Sequence, residues 1–181
     1  LVGISKEDLS KAFNLEQKRT EAYGDDTELE PENLKEQVQG LMSKNGFSRI
    51  GSGDYRVVYG GEETVVKIAW NRLGIKENKA EYRNWRRIKD TKVERIDNNG
   101  TCKAREYLAE IQGFQDNKFG WILMERVQDG LDNVTSEEAE KVREQFERSG
   151  IKIDEIEPYN MGRCYRTNLS KEVPVVFDYG G

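Results

Sequence analysis

Histidine is absent from the 181 residues. That absence excludes Ser-His-Asp and Cys-His triads, imidazole general bases and histidine-containing zinc sites together. Only two cysteines occur, Cys102 and Cys164, and they are too far apart to form a metal-ligand pair, so reduced thiols are expected. No apolar run approaches the length of a membrane span, and there is no internal repeat or low-complexity segment. What is abundant is charge: 35% of residues are charged, as many as are hydrophobic. The 29 basic and 34 acidic side chains leave a net charge of -5, which argues against a general nucleic-acid binder and confines any phosphate recognition to a local patch. Glycosylation sequons at Asn99, Asn133 and Asn168 carry little weight, because the chain opens on a charged helix-like segment rather than an export sequence. A cytoplasmic protein with no nucleic-acid or membrane partner is the expectation. The length suits one domain with a core, plus a short appendage.

The patterning changes twice along the chain. Ser5 and Asp8 resemble a helix cap ahead of Leu9, Ala12 and Phe13, and the polar stretch at residues 24–28 breaks that helix. Pro31 fits a first helical turn, and Leu34, Val38, Leu41 and Met42 line one face of a second helix ending near Gly46. From Phe47 the period becomes alternating and predicts strands over 47–51, 55–60 and 64–70, the last two joined by Gly60-Gly61-Glu62-Glu63. A charged helix over 75–89 follows, and an Asp/Asn/Gly-rich stretch ends it around 98–101. Strands are predicted again over 107–114 and 119–127, around a turn at Gln115-Asp116-Asn117-Lys118. Thr135 and Glu138 form a capping box for a helix carrying Ala139, Val142 and Phe146 on one face and stopping at Gly150. Short strands over 161–165 and 173–177 close the chain. The expected class is α+β: a helical extension (1–46), a five-stranded antiparallel lobe with one helix (47–127), and a smaller segment (128–181).

Within this frame a few residues are costly unless they do chemistry. Gly51-Ser52-Gly53-Asp54-Tyr55 lies between two strands, and its glycines allow positive φ and let backbone N–H groups approach an anion. Lys67 lies in the middle of the apolar run Val65-Val66-Lys67-Ile68-Ala69, where its ammonium group requires negative charge nearby. Two carboxylates on the following helix can supply it: Glu81, on the same face as Trp85 and Ile88, or Glu77 one turn earlier.

Taken in order, these residues resemble the protein-kinase-like fold. The small lobe of that family carries G-x-G-x-x-G-x-V, a lysine in V-A-I-K and a glutamate on the next helix; here Gly51, Gly53, Val58, Lys67 and Glu81 match, with Tyr55 in the aromatic position and Arg56 in place of the third glycine. The strand ending at Met124 resembles the one that leads to the hinge, with Glu125, Arg126 and Val127 offering backbone groups to an adenine. Near the C-terminus, Glu157-Pro158-Tyr159-Asn160 resembles the end of a catalytic loop, and Asp178-Tyr179-Gly180 resembles D-F-G. The resemblance implies ATP and Mg²⁺ as ligands. Gly51, Ser52, Gly53, Tyr55 and Val58 would cover the nucleotide, Met124, Glu125 and Val127 would hold its base, and Asn160 with Asp178 would hold the metal.

The departures are as informative. The catalytic aspartate of the family stands five positions before the asparagine, where this chain has Glu155, with Asp154 one further back; either is the candidate base. Lys152 and Ile153 stand where His-Arg is usual, and Glu157 occupies a position that often holds lysine. The resemblance spans 47–180, and the expectation is either a minimal kinase that obtains substrate binding from its N-terminal helices, a partner or another copy of itself, or a protein that continues past Gly181 with the helices that follow D-F-G in protein kinases. The implied activity is phosphoryl transfer to a Ser/Thr-type protein hydroxyl, and the alternative is a nucleotide-binding pseudokinase that regulates or binds a protein partner.

Overall fold

The computed structural model describes residues 3–23, 32–128, 133–154 and 156–179. Pro31, the breaking stretch at 24–28, Glu155 and Gly180 lie outside the described residues. Over the described residues the chain is α+β, with four α-helices, a five-stranded antiparallel sheet and two two-stranded hairpins. It divides into two units, Leu1–Lys79 with Ile111–Arg126, and Ala80–Glu110 with Val127–Gly181.

The first unit begins with α1 (Lys6–Tyr23) and α2 (Glu32–Lys44). Ser5 caps α1 as its sequence suggests, its Oγ accepting the Asp8 N–H at 3.0 Å. The sheet comprises β1 (Ser48–Ser52), β2 (Arg56–Gly60), β3 (Thr64–Ala69), β6 (Ile111–Phe114) and β7 (Trp121–Glu125) in the order β1-β2-β3-β7-β6. Directly opposed residues on antiparallel strands share a face. The register Val57↔Ile68↔Trp121 and Tyr59↔Val66↔Leu123 therefore defines one apolar face. Leu9, Ala12 and Phe13 of α1, Val38 and Met42 of α2, and Phe47 complete a single buried cluster with that face. Gly120 allows the close approach of α1, since a Cβ there would lie 2.6 Å from Phe13 Cγ.

Helix α3 (Arg72–Ile88) starts three residues earlier than its periodicity suggests, because Asn71 caps it: its Oδ1 accepts the Gly74 N–H at 3.0 Å. The helix runs through the boundary of the two units, and its second half belongs to the second.

In the second unit, β4 (Lys92–Glu94) and β5 (Thr101–Lys103) form a hairpin that the sequence reading treats only as a helix-ending stretch. Its connection passes through left-handed Asn98 and Gly100, an Asn-Asn-Gly turn signal. The strand expected over 107–114 is also shorter. Ala104–Tyr107 is a 3₁₀ turn, and the next residues pair elsewhere, Ala109 N–H donating to Val176 O at 2.9 Å, so that β6 begins only at Ile111. Helix α4 (Ser136–Arg148) has the anticipated capping box, and Ala139, Val142 and Phe146 are buried. Left-handed Gly150 ends it, with Ile151 N–H returning to Phe146 O at 2.8 Å. Strands β8 (Met161–Arg166) and β9 (Lys171–Val176) pair antiparallel in full register from Met161↔Val176 to Arg166↔Lys171.

Candidate functional site

Lys67 lies on central strand β3, opposite Val58 on one side and Ile122 on the other, and only 6% of it is exposed. The pairing Val65↔Met124↔Ile111 places those three residues on the same face. One face of β2, β3 and β7 is thus sealed by α1 and α2, while the opposite face carries Lys67 together with Val58, Val65, Ile122 and Met124. Such a cation is tolerated only with compensating charge or hydrogen bonds. Of the two carboxylates weighed as its partner, Glu77 is engaged elsewhere: its Oε2 lies 3.0 Å from Arg56 Nε. Glu81 is fully buried and belongs to the second unit.

The glycine-containing turn before β2 is exposed from Gly51 to Asp54. Neither Gly51 nor Gly53 adopts positive φ, and a Cβ at either would meet open space, so the expected conformational reason for glycine does not hold. What the two glycines leave is bare backbone facing solvent. Gly53 N–H closes the turn on Arg56 O at 2.9 Å. Tyr55 and Val58 are partly buried.

At the end of β7, Met124 and Val127 are buried and Glu125 opposes Thr64. Of the backbone groups expected to meet an adenine, the Arg126 N–H is spent, donating to Glu63 O at 2.9 Å. The Arg126 guanidinium donates to Gly61 O. Gln128 exchanges both its backbone groups with Arg163 at 2.9 Å. Gly162 makes this approach possible, because a Cβ there would lie 2.6 Å from Gln128 O.

Asn160 and Asp178, eighteen positions apart in sequence, flank one end of the β8–β9 hairpin. Asn160 immediately precedes β8, and its carbonyl accepts the Phe177 N–H at 3.0 Å, one residue before Asp178. The next residue is fixed more firmly. Tyr179 is 1% exposed, its hydroxyl donates to Ala109 O at 2.7 Å, and its carbonyl accepts from Asn84 Nδ2 at 2.9 Å. The Tyr179 hydroxyl thus makes a bond that phenylalanine could not. An amide and a carboxylate oxygen on converging segments fit Mg²⁺, which takes one or two protein oxygens and completes its shell with phosphate and water. Among the described residues no group of three or more His, Cys, Asp or Glu side chains forms a metal cage.

Asp154 is exposed in a turn, and Glu155, the other candidate base, lies outside the described residues. Glu157 is not an isolated acid: Arg143 of α4 lies 3.5 Å from it and also holds Glu140 at 2.9 Å. Burial tends to raise the pKa of Glu138 in the capping box, but the Thr135 N–H and the Arg163 guanidinium, 2.5 Å away, outweigh it and hold the pKa below its ordinary value. Arg163 also donates to Asn133 O at 2.6 Å, joining β8 to the start of α4.

Neither a protein-family model nor a curated protein matches the chain. Among solved structures it is similar to the ternary complex of APH(2")-IIa, an aminoglycoside phosphotransferase, with streptomycin and ATP, at 16% identity and a TM-score of 0.37. The match covers 61% of this chain and 32% of that one, so the chain spans about a third of the length of that neighbour. No helix among the described residues is long and apolar enough to cross a membrane.

The sequence marks Arg56 only as a departure from the glycine pattern and Tyr179 only by its place in a turn, and nothing local marks Asn78.

Proposed function

We propose that the chain is a kinase-like phosphotransferase that uses ATP and Mg²⁺ and acts on a Ser/Thr-type protein hydroxyl. The observation that carries this reading is the Phe177–Asn160 backbone hydrogen bond, which gathers the segments of Asn160 and Asp178 at one end of a hairpin. A buried lysine on the central strand is the second support. In this reading Lys67 orients the nucleotide's phosphates, with Glu81 as its carboxylate partner, and the exposed turn of Gly51, Ser52 and Gly53 covers them. Asn160 and Asp178 are the residues that would hold Mg²⁺, whose chemistry is to neutralise charge on the phosphates. Met124, Glu125 and Val127 line the end nearest the base, and Asp154 or Glu155 receives the proton of the acceptor hydroxyl. A nucleotide-binding module without transfer is the second reading. It is favoured by Glu157, an acid that Arg143 holds at 3.5 Å and that, by the resemblance, stands where kinases often use lysine.

Thermal unfolding with and without millimolar Mg-ATP tests both, since a ligand of the folded state raises the midpoint by mass action. The expected result is a rise that Lys67→Ala abolishes; an unchanged midpoint in the wild-type protein overturns both readings. Radiolabelled phosphate incorporation that is lost in Asp178→Ala identifies the transferase. Binding without incorporation identifies the module.

A further inference from the structure

The turn between β1 and β2 is fastened to the start of α3 and to Trp70, two residues before it. Trp70 Nε1–H donates to Asp54 O at 2.9 Å, and Trp70 N–H donates to Tyr55 O at 3.1 Å. Gly74 lets the helix lie against the turn, for a Cβ there would lie 2.2 Å from Tyr55 O. The third fastening is Arg56, whose guanidinium meets Glu77 Oε2 at 3.0 Å and donates to Asn78 Oδ1 at 3.4 Å. Asn78 is fully buried and uses both ends of its amide, its Nδ2 donating to Phe119 O at 2.9 Å. Phe119 is itself held at φ +54°, a left-handed conformation that costs a bulky residue energy, and its ring stacks on Phe114 at 5.4 Å. One arginine therefore ties the turn to two consecutive residues of α3, and through Asn78 to the β6–β7 connection. Arg56 opposes Ala69, so it lies on the same face of the sheet as Lys67, one pair of residues along.

We infer that Arg56 is a positioning residue: clamped by Glu77 and Asn78, it holds the turn at residues 51–53 in place over the triphosphate of a bound nucleotide. The inference rests on the nucleotide-binding reading above and adds to it a residue that this reading does not use. A glycine at this position would leave the turn to be ordered at the moment of binding, and that entropy would be subtracted from the affinity. A planar guanidinium can engage the carboxylate and the amide together, which a lysine ammonium on a flexible stem does less well. Because the turn backbone meets phosphates and not the base, its fastening acts on ATP and leaves adenosine untouched.

Calorimetric titration of the full chain with Mg-ATP and, separately, with adenosine tests this. In Arg56→Gly the Kd for Mg-ATP rises by about tenfold, while that for adenosine stays within about twofold. Arg56→Lys is expected to fall between glycine and wild type. Glu77→Gln, a change at a half-exposed carboxylate that leaves the fold intact, reproduces the selective loss at smaller amplitude and decides the matter should Arg56→Gly fail to fold. Equal weakening of both ligands, or no weakening in either variant, overturns the inference and leaves the nucleotide-binding reading standing. A wild-type chain that binds neither ligand overturns both.

Discussion

In the first unit one face of β2, β3 and β7 is sealed by apolar side chains from α1 and α2, whereas the hairpin flanked by Asn160 and Asp178 in the second is pinned by side chains donating to backbone carbonyls. Arg166 reaches Glu106 O at 3.1 Å and Leu108 O at 2.9 Å, Arg163 reaches Asn133 O, and Tyr179 reaches Ala109 O. The two devices do different things. Apolar burial is strong and non-directional, and it tolerates exchange of one hydrophobe for another of like volume. A hydrogen bond adds little net stability but fixes an atom to within a few tenths of an ångström. The apolar seal supplies a rigid platform for Lys67, and the polar pins set the position of the segment that carries Asp178.

The contrast can be broken at its strongest point first. Trp121→Ala, deleting the largest buried side chain of the sealed face, is expected to cost about 3–5 kcal/mol in urea unfolding; a loss below about 1 kcal/mol would mean the seal is not what stabilises this unit. In the second unit Tyr179→Phe keeps the ring and removes the pin, leaving the Ala109 carbonyl without that donor. A loss of about 1–3 kcal/mol is expected, with the Mg²⁺ concentration for half-maximal nucleotide binding raised; an unmoved Mg²⁺ midpoint would show that the pin does not set Asp178.

The smallest effect concerns pH. Burial, aided by the Glu16 carboxylate, pushes Tyr59 up to about 12 from 10.0. The unfolded chain therefore releases this proton first, so the folded state loses stability as pH rises from 10 toward 12. Alkaline unfolding curves should show that slope in the wild-type protein and a shallower one in Tyr59→Phe, and identical slopes would exclude Tyr59 as its source.

The parts of the fold that were legible are those whose signal is local. The capping box at Thr135, the helical face of Ala139, Val142 and Phe146, and the strands around Lys67 follow from spacing and residue type, because periodicity reports which side of an element meets the core. The β4–β5 hairpin was passed over because three-residue strands carry too few alternations to register. The strand assigned from 107 failed because Ala109 pairs with β9, distant in sequence, and local preference yields to such pairing. Glycine at 51 and 53 signals positive φ, but neither residue adopts it.

By itself the chain's order of residues determined the long helices and the strands around Lys67, and that an ammonium group is embedded among valines and isoleucines, since these are properties of neighbours along the backbone. Only the folded arrangement decided that Glu77 holds Arg56, that Asn78 joins Arg56 to Phe119, and that Asn160 and Phe177 meet. Those contacts close loops of about twenty to forty residues, and no local propensity encodes which of several chemically equivalent partners the chain will bring to the same place.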